Sequence, residues 1–154
     1  MTDILKTFPA ANNFQNPIRY EIIDLDFGDS ANSDMLAAGT HNIFDIAAGE
    51  AVVQGWGAVY TSLTSTSTDT IQFKVGAGTL TAQLGADDLD AGFVFQFNAN
   101  DLEDTVGQAA LYAKSAADTL DLVVNDHALT AGRIILIVGV LDVNAAIGGN
   151  FTYE

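Results

Sequence analysis

The residue pattern predicts an all-β fold, an antiparallel two-sheet sandwich, and three observations make that prediction. Turn-forming residues punctuate the 154-residue chain roughly every 8 to 15 positions. The runs between them alternate apolar and polar side chains, the period of a strand with one buried face. No convincing amphipathic helix separates one run from the next, which argues against an α/β arrangement. Many short strands with mixed short and long connections make the jelly roll the first choice among sandwiches. An immunoglobulin-like sandwich is the alternative, although a chain without Cys lacks the Cys-Trp-Cys hallmark of antibody domains.

Residues 1 to 17 stand apart from the rest. Ile4 to Phe8 offers a helical turn at most. The stretch that follows, Phe8-Pro9-Ala10-Ala11-Asn12-Asn13-Phe14-Gln15-Asn16-Pro17, is uncharged and bracketed by prolines, which hold their predecessors extended. It reads as an extended N-terminal arm whose Phe8 and Phe14 are the candidate partner-binding residues, laid on a neighbouring subunit. A disordered tail is the other reading. Residues 18 to 154 then form a single sandwich domain.

Within that domain, Arg19 to Phe27 alternates until Gly28-Asp29-Ser30 ends it, and His41 to Ile46 stops at Ala47-Ala48-Gly49. Ala51 to Leu63 is a longer strand. Val52, Trp56 and Tyr60 share one face, read as core, with small Gly55 and Gly57 on the other, where a bulge or a second backbone can approach closely. Ser62 to Thr70 is almost wholly Ser and Thr, a solvated loop or strand end. Thr70 to Val75 turns Ile71, Phe73 and Val75 inward and Gln72 and Lys74 outward. Gly76-Ala77-Gly78 is a tight connection with positive φ, leading to Thr79 to Leu84 with Leu80, Ala82 and Leu84 on one face. Gly92 to Asn98 stacks Phe93, Phe95 and Phe97 on one side; with Phe73 these belong in the core or a subunit interface. Asp101 to Gln108 suits a helical turn or two. Gln108 to Lys114, Thr119 to Asn125 and Gly132 to Val143 complete a set of about nine strands.

Composition excludes several classes of function. Five Lys and Arg stand against 20 Asp and Glu, a formal charge of -15. Such a chain has no surface for gripping nucleic acid, where cations must displace phosphate counterions, and none for anionic lipid. The longest apolar run, Ile134 to Leu141, is far short of the ~20 residues of a membrane-spanning helix. Met1 to Ala11 has no apolar stretch of the secretory kind, so synthesis and residence in the cytosol are expected. Without Cys there is no thiol nucleophile and no Cys-ligated metal. Hydrophobic residues make up 49% of the chain and charged ones only 16%, against roughly 25% charged in average domains. That imbalance points to surface buried between subunits.

Chemistry needs converging groups, and few are present. His41 and His127 are the sole histidines. Each has an acid close by in sequence, Asp45 and Asp126, but no Gly-x-Ser-x-Gly elbow accompanies them, and each reads as an ordinary loop or strand-edge residue. Sixteen aspartates and four glutamates make coincidental carboxylate pairs unavoidable, so pairing has no diagnostic weight for glycoside hydrolysis. Gly76-Ala77-Gly78 lacks the third glycine and following helix of a dinucleotide loop. Three acidic clusters, Asp24/Asp26/Asp29, Asp87/Asp88/Asp90 and Asp101/Glu103/Asp104, are the nearest approach to a calcium site. None fits an EF-hand, and each reads foremost as solvated. No catalytic residue, metal or cofactor is assigned, and an enzyme is not expected.

One pattern has a likeness. Asn42-Ile43-Phe44-Asp45-Ile46-Ala47-Ala48-Gly49-Glu50-Ala51-Val52-Val53-Gln54 ends a strand, turns at Ala-Gly and starts a long strand. A Ser/Thr loop follows, then Asp69-Thr70-Ile71-Gln72-Phe73-Lys74-Val75-Gly76. Leu129-Thr130-Ala131-Gly132 launches a second long strand in the same way. This layout resembles that of small tailed-phage virion proteins, the β-sandwich capsid decoration or cement proteins, although they often have Pro where this chain has Ala47-Ala48. The resemblance covers under half of the chain. It implies a homotrimer on the exterior of a virion capsid, made in the host cytoplasm and bound to the major capsid protein, with no nucleic acid, membrane or cofactor as partner. The alternatives are a tail or neck component of a virion, and a carbohydrate- or receptor-binding sandwich, which needs exposed aromatic platforms.

Overall fold

In the computed structural model, residues 18–97 and 116–142 are described. The alternating runs become β1 (Ile18–Asp26), β2 (Gly39–Ile46), β3 (Glu50–Ser65), β4 (Thr70–Val75), β5 (Gly78–Thr79), β6 (Leu84–Gly85), β7 (Val94–Gln96), β8 (Asp118–Asn125) and β9 (Leu129–Asp142). Short 3-10 turns at Ser30–Leu36 and Ala86–Asp88 were not foreshadowed by the periodicity. The expected helical turns at Ile4 to Phe8 and Asp101 to Gln108, the strand Gln108 to Lys114, and the arm with Phe8 and Phe14 lie outside the described residues.

The strands form two antiparallel sheets. One has the order β1-β9-β3-β7; the other has β2-β8-β4-β5, with β6 also beside β4. Among the described strands, β1 thus pairs with β9, β2 with β8 and β3 with β7: a long hairpin rolled on itself, the jelly-roll arrangement. The ABED and CFG orders of an immunoglobulin sandwich are not what this pairing produces.

Period-2 alternation delivers the core from both sheets. Ile71, Phe73 and Val75 of β4 and Leu120, Leu122 and Val124 of β8 are buried from one side, and Ile134, Leu136, Val138 and Val140 of β9 from the other. Phe73 joins the layers. Its ring lies 5.7 Å from that of Phe95 and 5.6 Å from that of Phe97. Room for those two rings comes from glycine: a Cβ on Gly57 would stand 2.0 Å from Phe95 Cζ, and one on Gly55 2.2 Å from Phe97 Cδ2.

Three assignments are corrected. Trp56 and Tyr60 do not share the face of Val52. The register with β9 slips between Val52 and Gln54, and one extra residue reverses the parity of everything after it. Val52 is buried, whereas Tyr60 is 66% exposed on the outer face. Phe93 is not core: it lies 41% exposed at the turn where its N–H donates to the Asp90 carbonyl at 2.9 Å. Thr79 to Leu84 is not one strand. The buried Thr81 hydroxyl accepts the Phe73 N–H at 3.1 Å, a side chain standing in for the ladder, and pairing resumes only at β6. Ala82 is accordingly exposed. The Gly76-Ala77 connection is as expected, with Gly76 at φ 56°.

The ring-on-glycine packing yields a testable coupling. Phe95→Ala is expected to cost about 3 kcal/mol by cavity formation, and Gly57→Ala about 1–3 kcal/mol by overpacking. In a double-mutant cycle read by denaturant midpoints, Gly57→Ala should cost far less in the Phe95→Ala background. Additive losses would show that the ring does not occupy the glycine slot.

Candidate interaction surface

The two outer faces differ in kind. On the five-stranded sheet, the outward residues are Asn42 and Asp45 of β2, Thr119, Asp121, Val123 and Asn125 of β8, and Thr70, Gln72 and Lys74 of β4, with Lys74 opposite Asp121. Water suits that face. On the four-stranded sheet, register aligns Ile22, Ile137, Trp56 and Gln96 in one cross-strand row, with Asp24, Ile135, Ala58 and Val94 in the next. Ile22 is 73% and Val94 65% exposed, and Tyr20, Tyr60 and Ile137 are also open. A contiguous apolar face of this kind marks an interaction surface.

Its polar fittings hold the aromatic side chains in place. Gly139 lies between Tyr20 and Gln54, where a Cβ would meet Gln54 Cγ at 2.7 Å. The Gln54 amide therefore crosses β9 to donate to the Tyr20 hydroxyl. Arg133 donates to both Asp24 oxygens, at 2.9 and 2.6 Å, while its guanidinium covers the Tyr60 ring at 5.0 Å. The Arg133 hydrogen bond holds the Asp24 carboxyl below its usual range and raises the guanidinium in turn. Asp26, 3.9 Å from the same guanidinium, leaves this point of the face with one cation for two acids.

At the end of the sandwich, Arg19 donates to both Glu50 oxygens and to Glu21 at 2.8 Å. Glu50 also accepts the Ala47 N–H at 3.0 Å, which ties the β2–β3 turn to β1. This pairing pushes the Glu50 carboxyl down, chiefly through Arg19, and Arg19 up. A cleft of about 460 Å³ opens here, lined by Arg19, Asp45, Ile46, Glu50, Asp118 and Thr119 among others. Its one cation is engaged by Glu50, and Asp45 accepts from Asn42 at 2.9 Å.

The structure brings no chemical constellation together from the remaining candidates. His41 Nε2 bonds to the Ala37 carbonyl at 2.8 Å, and His127 is exposed in the β8–β9 turn. Asp24 and Asp26 face Arg133, while Asp87, Asp88 and Asp90 are exposed. Among the described residues no group of three or more His, Asp or Glu could hold a metal ion. Asp101, Glu103 and Asp104 lie outside them. Sequence alone places Trp56 and Tyr60 in the core and so hides the apolar face; the signal for it is Ile22 and Ile137, apolar at positions whose neighbours already fill the inner face.

Neither a protein-family model nor a curated protein matches the sequence. The fold has counterparts in solved structures. A chain in the capsid of Ralstonia phage GP4 superposes with a TM-score of 0.54 over 84% of this chain and 87% of that one, at 16% identity. A chain of the Cyanophage Pam1 capsid asymmetric unit does so with a TM-score of 0.53 over the same shares, 84% and 87%, at 14% identity. The two-sheet sandwich is thus a fold found in phage capsids, in chains of nearly this chain's length.

The Arg19–Glu50 pair sets a pH prediction. The folded-state value of Glu50 lies below its ordinary 4.5, so its contribution is complete above that pH and is lost as pH falls through the lower folded value. Glu50→Gln should lower stability by up to about 1 kcal/mol at pH 7, as for a partly exposed pair. The gap from wild type should close on acidification below pH 4.5. A gap of constant size across denaturation curves at pH 7 and pH 3 would contradict the assignment.

Proposed function

We propose that this protein is a virion structural component, a decoration or cement protein that binds the outside of a phage head and stabilises the shell through contacts with the major capsid protein. The observation behind this reading is the near full-length likeness, in both directions, to chains of two phage capsids. Two properties of the chain support an exterior place. A charge of -15 repels packaged nucleic acid but suits a surface turned to solvent. One apolar and one polar outer face suit a subunit with a bound side and a wet side. In this role the protein works as a homotrimer, reaches the particle from the host cytoplasm, and needs neither cofactor nor catalytic group. Its effect is linkage: what binds only the assembled shell raises the shell's apparent stability.

A second reading rests on Tyr20, Trp56 and Tyr60 standing outward on one face, the kind of platform a carbohydrate-binding module uses. Arg133 already covers one side of Tyr60, and Ile137 crowds Trp56 across the strand pair, so the virion reading is preferred.

Virions of the encoding phage, banded on a density gradient and separated into heads and tails, provide the test. The protein should travel with the heads in a fixed ratio to the major capsid protein. Heads stripped of it should break at a lower temperature and recover on its return. Its absence from particles, or its presence with tails alone, would overturn the proposal, and glycan binding by a protein absent from particles would establish the second reading.

A further inference from the structure

Register lays out the outer face of the four-stranded sheet row by row. Tyr20, Gly139 and Gln54 share one cross-strand row, Ile22, Ile137, Trp56 and Gln96 the next, and Asp24, Ile135, Ala58 and Val94 the third. Asp24 is the one charged residue of these three rows. In the fourth, Asp26 stands opposite Arg133. The charge of the four rows is thus gathered at one corner. There Arg133 lies 2.6 Å from Asp24 and 3.9 Å from Asp26, one cation between two acids. Asp24 is the one it holds, through two hydrogen bonds. Asp26 accepts the Gly28 N–H at 2.9 Å, and its side chain stays 41% exposed.

Area and charge together decide what covers such a face. Three strand gaps at ~4.8 Å and the rise from Tyr20 to Asp26 at ~3.4 Å per residue give a footprint of roughly 300 Å². A stable interface between two free proteins buries about 800 Å² on each side. Two copies joined here would hold through less than half of that, with -15 facing -15. A shell differs in both respects. A homotrimer of the kind proposed above presents three such faces at once, and effective concentration then makes up for small individual contacts. The opposing surface can also bring the cation that the corner lacks.

We propose that the face centred on Ile22, Ile137 and Trp56 is the surface that docks on the phage shell, and that it meets there an apolar patch of the major capsid protein with a Lys or Arg at its margin, seated against Asp26. A shell protein as occupant rests on the head-binding reading, which by itself leaves the choice of face open. The polar sheet stays turned to water.

Full-length protein, which has no Cys, and heads stripped of it provide the test. Ile22→Cys puts a thiol on the apolar face and Asn42→Cys one on the polar face. Each is reacted with a maleimide, free in solution and after rebinding to heads. Access governs the rate, so Ile22→Cys should react roughly tenfold more slowly on heads, and Asn42→Cys equally fast in both states. Ile22→Lys should weaken rebinding about tenfold or more by burying a charge, with circular dichroism unchanged. Asp26→Asn keeps an acceptor for the Gly28 N–H. It should weaken rebinding about threefold at low salt, as for an exposed ion pair, and not at about 1 M salt, where charges are screened beyond ~3 Å. Equal reactivity of Ile22→Cys in both states would overturn the choice of face and leave head binding intact. So would a reaction already as slow in the free protein as on heads, since a second copy would then cover the face. Asp26→Asn rebinding as tightly as wild type at low salt would overturn the cation at the margin. Failure of the wild type to rebind would instead overturn the head-binding reading, and the shell as occupant with it.

Discussion

Everything else in this sandwich follows from two phenylalanine rings lying on two glycines. Phe95 and Phe97 of the three-residue strand β7 and its flank reach inward over Gly57 and Gly55 of β3 and meet Phe73 from the opposite sheet. No side chain on β3 could occupy those two positions without displacing a ring, so β3 must present its glycines inward there. Strict alternation then leaves Gln54, Trp56, Ala58 and Tyr60 no choice but to face outward. The apolar outer face is therefore a consequence of how the core is filled. The bulge after Val52 reconciles this local parity with a buried Val52 at the start of the same strand.

That chain of dependence explains which parts of the fold can be read from residues alone. β4 is legible because it alternates without interruption between turn residues, and β8 because Leu120, Leu122 and Val124 keep the period although Val123 lies outward between them. The layer architecture follows from the count and spacing of such runs. A bulge leaves no mark in composition, since Val53 looks like any strand residue, and so the face of Trp56 is invisible until its register with β9 is known. Thr81 is obscure for a related reason: its hydroxyl replaces a ladder bond, an event set by the position of Phe73 rather than by Thr81's neighbours. Gly55 and Gly57 did signal a close approach. What approaches is a pair of rings and not a backbone.

The candidate surface shows the same division. Candidate chemical groups such as His41, His127 and the acids can be named from the sequence, because chemistry demands specific residue types. An interaction face demands only apolarity in the wrong place, and apolar residues in an all-β chain are assigned to the core by default. Ile22 illustrates the problem: in Glu21-Ile22-Ile23-Asp24 two isoleucines are adjacent, only one can face inward, and parity with β9 assigns that to Ile23, opposite Leu136.

Electrostatics then limits how such a face can be used. Of the five cations in the chain, Arg133 is spent on Asp24 of β1 and Arg19 on Glu50 at the start of β3. Both pairs are partly exposed and contribute little stability individually. Each arginine is shared by two acids, Arg133 by Asp24 and Asp26 and Arg19 by Glu21 and Glu50, so the β1 side of the apolar face keeps a net negative charge. A strongly acidic subunit makes close contacts most easily over uncharged residues, and on the four-stranded sheet those include Ile22, Ile135, Ile137, Trp56, Ala58 and Val94. Partners of this protein, whether copies of itself or another shell component, meet the least resistance there, and the repulsion that remains elsewhere keeps the contact from spreading into aggregation.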